Sequence, residues 1–307
     1  MRMNYQNTIV GLLYLFTVFS WGSAWVAIDV QLDYVSTQLS LFLRFIIAAV
    51  IMVFCYQLLK PDERKLTGLD HLFVIALGAT NFSLNYLLVY EGIQYLGGSL
   101  SSVIFTTLVI WNILNARIFY KVKITMSVIF GCILGIGGVA IALQSPLPSS
   151  ITIPTLIKGS LLVICAAYIV SIGNMIALRN SKKGISVLTA NTYGMCWGAL
   201  IITATIFLES EQDLVIPYNF SFTTSTLYLS LVCTVLGFFS YYLLIDKIAP
   251  SLFSYIIALF PVVSVGLDTV VFNKDLSEQI IWGIVIIFTG LFILLPRSIS
   301  SNRRKTG

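Results

Sequence analysis

Polar side chains inside otherwise apolar runs are the residues of this sequence best able to do chemistry. A polar group that faces hydrocarbon loses its hydrogen bonds at a steep cost, so it is retained where it serves a purpose. Asn81 and Asn85 lie four residues apart, which puts them on one helix face, with Tyr86 beside them. Ser171 and Asn174 lie three apart with Tyr168 one turn earlier, Asn191 and Tyr193 fall early in another run, and Thr106 and Thr107 interrupt a further one. Such groups either hydrogen-bond a neighbouring helix or line a water-filled cavity that a solute enters. Two ionisable residues sit within apolar runs, Arg44 and Asp268, at similar distances from the run ends. They are placed to pair with each other. Arg44 alone has two other roles open to it, snorkelling to the interface or holding an anion. Rings also fall inside the runs, among them Trp21, Trp25, Phe105, Trp111, Phe238, Tyr241 and Tyr255. They read as interfacial anchors, as packing, or as walls against which an apolar solute or an ammonium group rests.

Other chemistries lack their residues. One histidine, His71, rules out a multi-histidine metal cluster, and neither HExxH nor GxSxG occurs. The five cysteines lie in apolar runs without CxxC spacing and read as small hydrophobes. No enzyme activity, no cofactor and no metal are expected.

The elements that must position these residues are membrane spans. Of 307 residues, 58% are hydrophobic and 10% charged, against roughly 25% charged in a soluble domain; too few polar side chains exist to cover a wetted surface. A span needs about 20 mainly apolar residues, and ten such runs are found, near 9–28, 38–59, 71–91, 99–119, 125–143, 157–178, 187–207, 224–245, 252–272 and 279–296. With the N-terminus in the cytoplasm, the short inner loops collect 15 of the 18 basic residues and the outer ones only Lys158 and Lys274, which obeys the positive-inside rule. Both termini are then cytoplasmic. The basic tail SNRRKTG reads as a topology signal touching anionic lipid headgroups, not as a nucleic-acid contact.

The chain also repeats. A shift of 152 residues lays Ser99-Leu100-x-Ser102 on Ser251-Leu252-x-Ser254, Tyr90 on Tyr242, Gly131 on Gly283 and Gly138 on Gly290. Pro146 and Pro148 mark the joint. Five spans per half is an odd number, so the second half enters from the opposite side. That is the inverted repeat of many transporters, with substrate expected near the midplane between halves. The expected fold is an all-α membrane protein, ten transmembrane helices in two inverted five-helix repeats, residues 1–145 and 150–307. Glycines at small-xxx-small spacing predict close helix packing, within the chain or at a dimer contact, so a monomer and a homodimer both stay open.

SWGSAWVAI (20–28), LFLRFIIAAVI (41–51), SLSSVIFTTLVIWNILNARIFY (99–120), LTANTYGMCWGALI (188–201) and PSLFSYIIALFPVVSVGLDTVVFNKDLS (250–277) together resemble the EamA family of the drug/metabolite transporter superfamily. Similar proteins usually carry a proline in span four, where this chain has Val109; its second-half counterpart, Pro261, is present. The resemblance implies a central cavity lined by spans one, three, four, six, eight and nine, a place in the cytoplasmic membrane, and transport of amino acids, other metabolites or drugs, often outward. It puts Trp21, Trp111 and Tyr255 on cavity helices. The candidate substrate-binding set is Trp21, Arg44, Asn81, Asn85, Tyr86, Phe105, Trp111, Tyr168, Asn174, Phe238 and Tyr255. Aromatic faces with a few amides suit a small amphipathic substrate. Carriers of nucleotide-sugars or sugar phosphates would need several cations in the cavity, and a channel would need charged rings or filter sequences.

Overall fold

A computed structural model of the protein describes residues 2–59, 65–145, 151–208, 215–245 and 250–294, and among them every regular element is helical. The helices are α1 (Arg2–Leu32), α2 (Thr37–Leu59), α3 (Gly68–Leu96), α4 (Gly98–Tyr120), α5 (Met126–Ala142), α6 (Ile153–Lys182), α7 (Val187–Leu208), α8 (220–245), α9 (Pro250–Phe272) and α10 (Glu278–Leu294). Eight of them, α1 to α4 and α6 to α9, are long and apolar enough to cross a membrane. The other two, α5 and α10, are apolar but have 17 residues each. At 1.5 Å per residue they reach about 26 Å, a little under a hydrocarbon core of about 30 Å. They occupy the fifth and tenth expected runs.

Local chemistry explains the helix ends. Thr67 caps α3 in a reciprocal box: its hydroxyl accepts from the Asp70 amide, and Asp70 Oδ2 accepts from the Thr67 amide at 3.0 Å. Gly97, at φ 75°, makes a one-residue corner between α3 and α4 that side chains with a Cβ rarely adopt. Thr152 caps α6, with Pro154 in its first turn, and the Asn219 side chain accepts from the Ser221 amide to start α8.

Three interruptions shape the bundle. Both α3 and α8 contain a π-helical stretch, at Thr80–Leu84 and Tyr228–Leu236. The wider turn lets hydroxyls reach back five residues, Ser83 Oγ to the Gly78 carbonyl and Thr234 Oγ1 to the Leu229 carbonyl. In α4 the α-helical pattern stops at Thr106–Thr107, where amides bond three residues back, Val109 to Thr106 and Ile110 to Thr107. Val109 removes the proline but not the break: tight 3₁₀-like turns replace it three residues earlier.

A close helix crossing joins α5 to α10. A Cβ built on Gly138 would lie 2.6 Å from the Gly283 carbonyl oxygen, one on Gly283 2.6 Å from the Gly138 oxygen, and one on Gly290 2.7 Å from the Gly131 oxygen. Backbone thus touches backbone, as small residues permit. Helix α1 packs on α8 and α9, α3 on α6 and α7, and α2 on α7. At one end of α3 the buried Asp70 meets Arg179 of α6 at 2.7 Å.

Candidate functional site

A cavity of about 830 Å³, including its open mouth, lies among α1, α2, α3, α4, α6, α8 and α9. Those are the six helices the resemblance implied, with α2 added because it supplies Arg44. Eight of the eleven candidate residues line it: Trp21, Arg44, Asn81, Asn85, Tyr86, Phe105, Asn174 and Phe238.

The α8 π stretch holds two of them. Trp21 Nε1 donates to the Cys233 carbonyl at 2.9 Å, so the indole stands fixed at the wall, with Phe238 edge-on at 5.0 Å and Tyr241 at 4.9 Å between ring centroids. Arg44, 1% exposed, donates from Nε to Thr234 Oγ1 at 2.9 Å and from Nη1 to the Tyr90 hydroxyl at 3.1 Å. Its guanidinium carbon lies 4.6 Å from the Tyr86 ring centroid. On the far side Phe105 meets Trp25 at 5.2 Å, and Asn174 Nδ2 donates to Asn112 Oδ1 at 3.2 Å. The Asn81 and Asn85 side-chain oxygens are buried without hydrogen-bond partners, the former packed against Gly173 of α6. Among the described residues no acid lines the cavity.

Three candidates lie outside this lining. Tyr168 is 43% exposed on the outer face of α6. Trp111 packs edge-on to it at 5.1 Å, and Tyr255 faces Phe288 of α10 at 6.5 Å. Tyr168 precedes Asn174 by six residues, roughly 240° around the helix at 3.6 residues per turn; the two cannot share a face. Trp111 stands six residues beyond Phe105, across the α4 break.

The expected pair of Arg44 and Asp268 does not form. Asp268 Oδ2 accepts from Ser99 of α4 at 2.5 Å and from Lys274 Nζ at 3.3 Å. Depth along the bundle matched the two residues, but Asp268 turns to the start of α4, and Arg44 turns to α3 and α8.

Residues absent from the candidate set complete the walls, including Ala24, Trp25, Val89, Val170, Tyr241 and Phe260. Helical spacing was the available signal. Positions 24, 25 and 28 follow Trp21 at i+3, i+4 and i+7; Val89 follows Asn85, and Val170 precedes Asn174, by four.

The arrangement is a largely apolar, aromatic pocket with one cation and a few amides among its described residues, suited to holding a small solute. Comparison with known proteins agrees. The family model of the EamA-like transporter family matches residues 8–144 and again 157–295. An uncharacterized transporter of Buchnera aphidicola subsp. Schizaphis graminum is 24% identical over 296 residues, 94% of each chain. Protein PagO of Salmonella typhimurium is 23% identical over 293 residues, again 94% of each. One solved crystal structure superposes at a TM-score of 0.71 over 97% of this chain and 99% of its own, with 14% identity, a likeness of fold alone. A double family match along a multi-pass helical chain, with relatives named as transporters, makes this protein a membrane transporter of the EamA family in the drug/metabolite transporter superfamily.

Proposed function

We propose that the protein is a secondary transporter carrying a small amphipathic metabolite, an amino acid or a drug-like compound, across the cytoplasmic membrane by alternating access. The direction favoured by the family resemblance is export. The observation that carries this reading is the cavity itself: elements from both halves of the chain surround it, and its walls join aromatic faces to Arg44 and to amides. The two repeats, 1–145 and 150–307, are taken to pack in inverted topology with both termini in the cytoplasm. Two features support that arrangement. A twofold exchange of repeats at the 152-residue shift turns the Gly138–Gly283 contact into Gly290–Gly131, and both contacts are made. The π stretches of α3 and α8 also overlap under the same shift. A single cation among the described lining residues argues against phosphorylated or nucleotide-sugar cargo.

Counterflow in proteoliposomes tests the proposal. Internal unlabelled substrate should accelerate entry of labelled substrate, as a carrier requires and a channel does not. Val170→Trp, which fills the cavity from α6, should abolish the signal with the protein still folded. Normal counterflow in that variant would move the pathway elsewhere.

A further inference from the structure

Among the described residues the cavity wall carries one formal charge, and no opposite charge stands beside it. The Arg44 guanidinium meets neutral partners, the Thr234 and Tyr90 hydroxyls and the Tyr86 and Phe45 rings. Among the described residues no carboxylate lies within ion-pair distance of it, and Nη2 donates to none of their groups. The buried acids are engaged elsewhere: Asp268 with Lys274 and Ser99, Asp70 with Arg179. A lone cation in a low-dielectric interior is expensive, and such residues normally pair.

We infer that Arg44 is the anchor for one anionic group, a carboxylate, on a cargo whose remainder is apolar and lies against Trp21, Phe238 and Phe260. This rests on the reading that the cavity is the transport site. The guanidinium is already oriented by two hydrogen bonds, so little ordering is lost when an anion docks on its free edge. The Asn81 and Asn85 amides on the neighbouring wall supply further hydrogen-bonding capacity. Single charge is the selective feature: a monoanion neutralises the site, a cation is repelled, and a phosphate dianion leaves one charge unmatched.

The test uses purified full-length protein and three matched probes, 3-phenylpropionate, 3-phenylpropionamide and 3-phenylpropylamine, with binding read by titration calorimetry and thermal shift. The acid should bind at least about tenfold more tightly than the amide, the scale of one charge-assisted contact, and the amine should not bind. Arg44→Gln should erase the preference, and Val170→Trp should block the acid. Equal binding of acid and amide to the unaltered protein would overturn the inference, a comparison that needs no variant to fold. So would an acid preference that survives in Arg44→Gln. If acid and amide bind equally and both are blocked by Val170→Trp, the anion role of Arg44 fails and the cavity reading stands. An acid preference indifferent to Val170→Trp sinks both.

Discussion

Two adjacent glycines of α5 should respond in opposite ways to the same added methyl group. A Cβ on Gly138 would lie 2.6 Å from the Gly283 carbonyl oxygen and 2.7 Å from Ile287 Cγ1, where ordinary contact begins at 3.4 Å, a shortfall of 0.8 Å against backbone. Backbone cannot rotate away as a side chain can, so α5 and α10 must separate along their crossing. Overpacking of this kind costs about 1–3 kcal/mol. A Cβ on Gly137 meets nothing within 4 Å, so Gly137→Ala only removes the conformational freedom of glycine in a helix and gains about 0.5–1 kcal/mol. At about 2 °C per kcal/mol for a chain of this size, Gly138→Ala should lower the melting temperature by about 2–6 °C and Gly137→Ala raise it by about 1–2 °C. Intrinsic tryptophan fluorescence during heating in detergent measures both. Equal shifts, or a Gly138→Ala protein as stable as the parent, would refute the backbone contact and with it the α5–α10 crossing.

Four further substitutions, the last two compared with each other, probe other joints. Asp70→Asn breaks a 2.7 Å ion pair and weakens a helix cap; with Arg179 18% exposed and able to rehydrate, the loss should be about 2–3 kcal/mol, seen as a melting temperature lower by about 4–6 °C. Gly173→Ala crowds a methyl group against the Asn81 amide and against Thr80 Oγ1, which would lie 2.6 Å from the new carbon and bonds the Ala76 carbonyl; stability should fall by about 1–3 kcal/mol as counterflow falls several-fold. Val109→Pro should fold and transport, because α4 is already broken at Thr106–Thr107 and the change gives up a single bond, from the Val109 amide to the Thr106 carbonyl, at about 1 kcal/mol, whereas Leu200→Pro in the unbroken α7 should cost about 3 kcal/mol or more, read by size-exclusion recovery of each variant.

Apolar runs made the helices legible, because the hydrocarbon core demands a fixed length and little charge. Polar and aromatic residues inside those runs pointed to about half of the cavity wall for the same reason: a group that is costly in lipid turns inward. What the sequence hid is rotation about each helix axis. Depth is encoded by position along a run, but facing depends on phase. Tyr168 and Asn174 shared a run and not a face, and Arg44 and Asp268 shared a depth and not a direction. Phase was partly recoverable from the polar residues themselves, since Ala24, Val89 and Val170 follow from their neighbours at steps of three or four. The π stretches had no signal of their own, although they decide where Trp21 and Arg44 are held.

The break in α4 separates two sets of contacts. Before it, Ser99 bonds Asp268 at 2.5 Å and Ser102 bonds Ser264 at 2.6 Å, joining this segment to α9. After it, Asn115 donates to Ser171 at 2.9 Å, Asn112 accepts from Asn174 at 3.2 Å and the Tyr120 hydroxyl donates to the Met175 carbonyl at 2.8 Å, joining the second segment to α6. The side-chain bonds of α4 therefore run to α9 from its first half and to α6 from its second, on either side of Thr106–Thr107. Interhelical bonds in membranes contribute only about 0.6 kcal/mol each on average, so parting either set costs about 1–2 kcal/mol. On the proposed reading, a balance this small lies within reach of a solute that binds one arrangement only modestly better than the other. On the same proposed reading, the weak contacts at the ends of α4 would permit exchange between two arrangements, and the glycine-packed pair of α5 and α10, where backbone meets backbone, would keep the bundle together through it.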